Sequence, residues 1–305
     1  MYYPYLRGRQ YELLALRELL EKKLISAEVL QPIVEPIKET MIFKKTVNSY
    51  YDSEYPLYTV IDPQVGEFVL HAKDHPILDR KDVYNAVLME ETEENLAKLL
   101  PVLSEGRKAL PIYRRSDDLI KSGLIPAQVN LNLVNDGTRF KRFFSQKKQR
   151  VGILRDVFTK QRRNVDYAQH TDEFFSDDHL YYHDDGYSAF SDYSIIGESY
   201  INGGFAPVAV AIHIVYFDAE NNLRIKHFVS DTNDDIYDPA GKFKEALEKL
   251  VAWARDIEDK NDSEALHEFQ ELLAKARYPG LGVVKKLSLM HHLEIMSKFL
   301  KNNGE

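Results

Sequence analysis

The chain has 305 residues, is 44% hydrophobic and sets 48 acids against 40 bases for a net charge of −8. It contains no cysteine, which excludes a disulfide framework, thiol catalysis, cysteine-bound zinc and iron–sulfur clusters. The acidic balance argues against an all-over basic nucleic-acid binder, and no apolar run is long enough to span a bilayer, so a cytoplasmic protein with no membrane partner is expected.

Tyr2–Leu6 opens as a strand-like run, and Gln10–Leu24 follows as a helix with Leu13, Leu16, Leu20 and Leu24 at helical spacing. Val29–Ile37 is a second apolar run whose prolines suit the ends of a strand or an edge. Thr40–Tyr50 reads as a helix, Pro56–Asp62 as a third strand and Asn85–Met89 as a fourth. Thr92–Leu103 is a helix with Thr92 as its cap, Glu93 and Glu94 at its positive end, and Leu96, Leu99, Leu100 and Leu103 as its buried stripe. Lys108–Tyr113 is a fifth strand, Asp117–Ser122 a short helix closed by Gly123, and Gln128–Val134 a sixth strand that alternates polar and apolar residues. A basic helix, Asp136–Gln149, leads into a seventh strand at Arg150–Phe158.

Seven short strands separated by helices imply βαβ units and a parallel sheet. An eighth candidate is Pro207–Phe217, which Asn221-Asn222 turns into Leu223–Val229 as a hairpin. Eight strands predict a TIM-barrel-like (β/α)8 fold, with an open doubly wound sheet as the alternative. Helices are expected over Gly241–Asp256, Asp262–Lys275 and Lys285–Leu300. Residues 1–305 read as one domain, with 241–305 as C-terminal helices and 164–204 as an acidic, tyrosine-rich insertion or lid. Residues 139–163 hold ten Lys or Arg and a single acid, whereas 164–204 hold nine acids and no Lys or Arg.

Ligands of parallel α/β proteins sit at the carboxyl ends of the strands. There the sequence places Arg7, Glu35, Asp62, Glu90, Glu91, Arg114, Arg115, Arg155 and Asp156, with His227 and Asp231 on the hairpin. Carboxylates suit a divalent ion such as Mg²⁺ or a general base, and arginine forks suit phosphate. Glu35, Asp62, Glu90 and Asp156 are thus the catalytic candidates, and Arg7 and Arg155 the substrate-binding ones. Glu35, set among apolar residues and prolines, also reads as a structural partner of Arg7. His179 and His183 stand four apart beside aspartates, without an HExxH pattern, and read more simply as part of a solvated loop. Phe140, Phe143 and Phe144 interleave the basic run, but a buried helix face explains them better than base stacking, so nucleic acid is the less favoured partner. Adjacent His291 and His292 point about 100° apart on a helix, so at most one is expected on its apolar face.

The opening YYPYLRGRQYELLALREL, the segment SDYSIIGESYINGG with the following VAVAIHIVY, KHFVSDTNDD, and the ending around Met290-His291-His292 resemble a bacterial and phage family called Beta-protein-like. The resemblance runs over nearly the whole chain. It implies a TIM-barrel-like fold, a role in anti-phage or mobile-element conflict, and a small nuclease-like protein partner. It brings no catalytic residues; Arg7, Asp192 and Tyr193 lie inside the matching segments. The expected function is a metal-assisted hydrolase or phosphodiesterase acting with that partner, or else a non-enzymatic sensor or partner-binding subunit.

Overall fold

Eight parallel strands form one sheet in the order β1 (Tyr5–Leu6), β2 (Ile33–Val34), β3 (Tyr58–Val60), β4 (Tyr84–Leu88), β5 (Ala109–Tyr113), β6 (Asn132–Asn135), β7 (Val151–Arg155) and β9 (Ala189–Asp192). Tyr2 bridges in parallel to both Leu30 and Phe190, which brings the first and last strands together, and Tyr3 N–H donates to the Phe190 carbonyl at 2.9 Å. The result is the expected TIM-barrel-like fold. The computed structural model describes residues 1–68, 84–89, 92–104, 108–114, 129–135, 138–203 and 207–303.

By its contacts the chain falls into two compact units. The first holds Met1–Leu13, Ala27–Asp156 and Asp178–Tyr193, and therefore the whole barrel. The second holds Leu14–Ser26, Val157–Asp177 and Ser194–Glu305.

The first two barrel strands are short because prolines flank them. Pro4, Pro32 and Pro36 have no N–H to give, but the carbonyls of Pro4 and Pro32 still accept from Ile33 (2.8 Å) and Tyr58 (2.9 Å). The barrel interior is filled by inward residues such as Tyr5, Ile33, Val60, Leu88, Ile112 and Leu133. Tyr3, Tyr58 and Tyr84 pack edge to face, with centroids 5.8 and 5.2 Å apart along the row. Gly152 is the narrow point of this filling: a Cβ there would stand 2.7 Å from Leu133 Cδ2 and 3.1 Å from Ala189 Cβ. Gly152→Ala is expected to lower stability by about 1–3 kcal/mol through overpacking, as a urea titration would read; an unchanged midpoint would show that β6 and β9 yield easily.

Helices α1 (Gln10–Glu21), α2 (Met41–Asp52), α3 (Thr92–Ser104) and α4 (Thr138–Gln146) follow strands β1, β2, β4 and β6. Thr40 caps α2, its hydroxyl accepting from Phe43 N–H at 3.1 Å. On α4, Phe140 and Phe144 are buried against Tyr113, as the buried-face reading expects, with centroids 5.3 Å from that ring. The expected helix Asp117–Ser122 lies outside the described residues.

The eighth barrel strand is Ala189–Asp192, not Pro207–Phe217. The latter run becomes β10 (Ala211–Phe217), which pairs antiparallel with β11 (Leu223–Val229) in a second, three-stranded sheet with β8 (Asp172–Ser176). The five residues 218–222 are too short a link for anything but antiparallel neighbours, so this run pairs locally and does not continue the parallel barrel. The turn is where expected: Asn221 is left-handed (φ 66°), and Asp218 Oδ1 accepts from Glu220 and Asn222 N–H at 2.9 Å. The acidic stretch 164–204, expected as an insertion or lid, is shared between the units and supplies both β8 and β9.

The remaining helices of the second unit are α6 (Pro239–Trp253), α7 (Glu264–Ala274) and α8 (Leu281–Asn303); α5 (Asp178–Tyr181) belongs to the first. Both His291 and His292 are buried, against the expectation that at most one would be. The reason is that α8 is enclosed on all sides from Ser288 to Ser297, so it has no solvent face to give the second ring. Each ring finds a polar partner: His291 lies 2.8 Å from Ser263 Oγ and 2.7 Å from the Val215 carbonyl, and His292 lies 2.7 Å from Ser194 Oγ.

His227 lies on the hairpin strand as expected, Asp231 just beyond it, and both belong to the second unit. Asp231 is exposed and pairs with Lys249 at 2.7 Å. His227 stands directly opposite His213 across β10 and β11, Nδ1 to Nδ1 at 2.7 Å, and its Nε2 faces Glu173 at 3.3 Å. With Nε2–H donated to the carboxylate, a neutral His227 accepts at Nδ1, which assigns the Nδ1 proton to His213.

Candidate active site

Strand side chains alternate, so the residue two beyond an inward core position faces inward one layer higher. Tyr5, Ile33, Val60 and Ile112 belong to the barrel core. Arg7, Glu35, Asp62 and Arg114 stand two residues beyond them, at the carboxyl ends of β1, β2, β3 and β5, and all four are buried.

Arg7 and Glu35 form a buried ion pair. Glu35 also accepts from the Tyr5 hydroxyl at 2.7 Å and from Gln64 N–H at 2.7 Å, so both of its oxygens are engaged. The Arg7 guanidinium lies 5.3 Å from the Tyr5 ring centroid and 5.4 Å from that of Tyr193. Its backbone N–H donates to Glu12 at 2.9 Å. Gly8 (φ 62°) lets the chain leave β1 close over this pair, since a Cβ there would meet the Glu35 carbonyl at 3.0 Å.

Asp62 is 5% exposed. Its Oδ1 accepts from Leu88 N–H at 3.0 Å, and Lys98 Nζ stands 3.9 Å from Oδ2. Burial pushes its carboxyl up to about 7, and the nearby Glu35 charge adds to this, while Leu88 N–H and Lys98 oppose it. Asp62 therefore exchanges a proton near neutrality. The Tyr5 hydroxyl is pushed upward, chiefly by burial and then by Glu35, so it stays a donor.

Of the six residues singled out in the sequence, the structure brings together Arg7, Glu35 and Asp62. Arg155 pairs with Asp178 of α5 at the end of β7. It neighbours the inward Leu154, so strand alternation turns it out of the inward row. Asp156 is exposed beyond the strand. Glu90, with Glu91 and Arg115, lies outside the described residues. His179 is buried and His183 exposed, so the two do not present a common face. No group of three or more His, Asp or Glu among the described residues is placed to hold a metal ion. A divalent ion at Glu35 would have to displace three donors.

Tyr5, Gln64, Lys98 and Tyr193 complete the site and were not picked out as functional from sequence. Tyr5 was reachable by alternation from Arg7. Lys98 was not, because its place depends on how α3 packs. No helix among the described residues is long and apolar enough to cross a membrane. Comparison with known proteins finds no matching family model, no similar curated protein and no similar solved structure.

Proposed function

We propose that the barrel is a hydrolase of anionic esters, phosphate esters above all, in which Asp62 is the general acid and base. The observation that carries this reading is the burial of Arg7, Glu35 and Asp62 together at the carboxyl ends of three adjacent strands. Desolvating three ionisable groups in one place is costly for a fold that needs only apolar filling there. As the P–O bond to the leaving group breaks, protonated Asp62 gives its proton to the leaving oxygen; thus ionised, it takes a proton from the water oxygen that has bonded to phosphorus and is restored. Arg114, in the same inward layer, supplies positive charge for the substrate anion, and Glu35 with Tyr5 holds Arg7 in place. This replaces metal ligation by proton transfer at Asp62 and by the positioning of Arg7 at Glu35. The likeness of the opening and ending segments to the Beta-protein-like family supports a setting in mobile-element conflict with a small nuclease-like partner, which copurification from a co-expressing strain would test.

Asp62→Asn is expected to lower kcat/KM roughly 100-fold on p-nitrophenyl phosphate or bis-p-nitrophenyl phosphate, and to abolish the bend in the pH profile near 7, with an unchanged melt. Wild-type protein that turns over neither ester, or a variant that keeps its rate, would sink the proposal.

A further inference from the structure

We propose that a tyrosine-lined cavity at the amino-terminal ends of β3 and β4, the end of the barrel opposite Asp62, binds an organic ammonium group. The cavity measures about 490 Å³. Of its lining residues Val47, Tyr50 and Leu57 are buried. Tyr51, Tyr55 and Tyr84 supply further aromatic surface, and the exposed Asp52 and Glu54 stand at its mouth.

Aromatic faces present negative charge to a cation, and carboxylates beside them add a long-range attraction. A neutral apolar ligand would use the rings and leave the acids idle. An anion would be repelled by them. Among the described residues the carboxylates of Asp52 and Glu54 form no ion pair or hydrogen bond, so their charge is not spent there. Lys108 Nζ lies 4.5 Å from the Tyr84 ring centroid and donates to its hydroxyl at 2.8 Å.

Glu54 also makes the test clean. It ends α2 in a left-handed conformation (φ 54°), with Glu54 N–H donating to the Tyr51 carbonyl and Tyr55 N–H to the Tyr50 carbonyl, both at 2.9 Å. Glycine is the least strained residue at such a position. Glu54→Gly therefore removes a carboxylate from the cavity mouth without endangering the fold.

Calorimetric titration of the whole protein with choline, against its neutral isostere 3,3-dimethyl-1-butanol, decides the matter. Choline is expected to bind about tenfold more tightly than the isostere. Glu54→Gly and Tyr51→Leu should each weaken choline several-fold, while Glu54→Gly melts no lower than wild type. A short peptide carrying trimethyl-lysine separates the two sources of the group: tighter binding than choline assigns a partner's side chain, weaker binding a free amine. Equal binding of choline and its isostere, no binding of either, or choline affinity untouched by both variants would overturn the proposal. None of these outcomes bears on ester hydrolysis at Asp62.

Discussion

Glu35→Ala is expected to destabilise the barrel by about 3–5 kcal/mol, because it leaves the Arg7 guanidinium buried without its counter-charge. It also takes the acceptor away from the Tyr5 hydroxyl and from Gln64 N–H. Each such orphaned donor costs roughly 1–3 kcal/mol where water cannot reach it. Arg7→Met should fall in the same range, for then Glu35 is the stranded charge. The double variant Arg7→Met/Glu35→Leu should recover most of the loss, since apolar groups of similar volume replace a pair whose desolvation its attraction only partly repays. Urea titrations followed by far-ultraviolet circular dichroism, closed into a double-mutant cycle, read the coupling directly. Single variants that each cost under about 1 kcal/mol would mean that water enters beside the pair. The same cycle separates stability from chemistry. A double variant as stable as wild type but without esterase activity places the pair in the site, whereas retained activity leaves it as barrel filling alone.

The barrel was legible because seven of its strands are short apolar runs between amphipathic ones, and helix propensity and strand alternation agree there. The eighth was not. Ala189–Asp192 carries a single large apolar residue, Phe190, and sits in an acidic stretch that reads as loop. Its strand character comes from its neighbours: Val151–Arg155 on one side and Tyr2 on the other. Pro207–Phe217 has far stronger intrinsic strand character but spends it on a local hairpin. Strand ends alone named Arg7, Glu35 and Asp62, but they named Arg155 and Asp156 too, because an end position says nothing about facing. Counting by twos from Tyr5, Ile33, Val60 and Leu154 selects the first three and rejects Arg155. It does not reject Asp156, which stands two beyond Leu154 and is exposed all the same. The burial of both His291 and His292 was hidden for a related reason: an enclosed helix shows no periodic apolar face, and polar residues on it look like solvent contacts until their partners are placed.

His213, His227 and His291 are expected to make the second unit acid-labile. Burial lowers His213 to about 3, with the facing His227 and Lys285 acting in the same sense. Burial lowers His291 to about 4; Lys298 acts with it, while the Val215 carbonyl and Asp262 oppose. His227 is lowered as well, by burial against the pull of Glu173 and Asp172, with His170 acting in the same sense as burial. Above the ordinary histidine value of 6.5 these rings are neutral folded or unfolded, and they impose no pH dependence. Below it the unfolded chain takes up protons that the folded unit refuses. Each such histidine then removes about 1.4 kcal/mol of stability per pH unit, until its folded value is reached. His213 and His291 together should withdraw roughly 5 kcal/mol between pH 6.5 and 4.5, comparable to the whole stability of many domains. Glu294, pushed upward chiefly by burial, works in the opposite sense and softens the fall. Trp253, the chain's only tryptophan, packs against Tyr216 and Phe228 and reports this unit selectively. Its fluorescence in urea titrations from pH 7.5 to 4.5 should show a midpoint that is flat to about 6.5 and then falls steeply. The variant His213→Phe/His227→Leu removes the facing pair and should cut the slope by more than half, leaving the His291 contribution. A midpoint that holds constant down to pH 5, or a slope that survives the double substitution, would mean that these rings are charged or solvated in the folded protein and that the second sheet rests on other contacts.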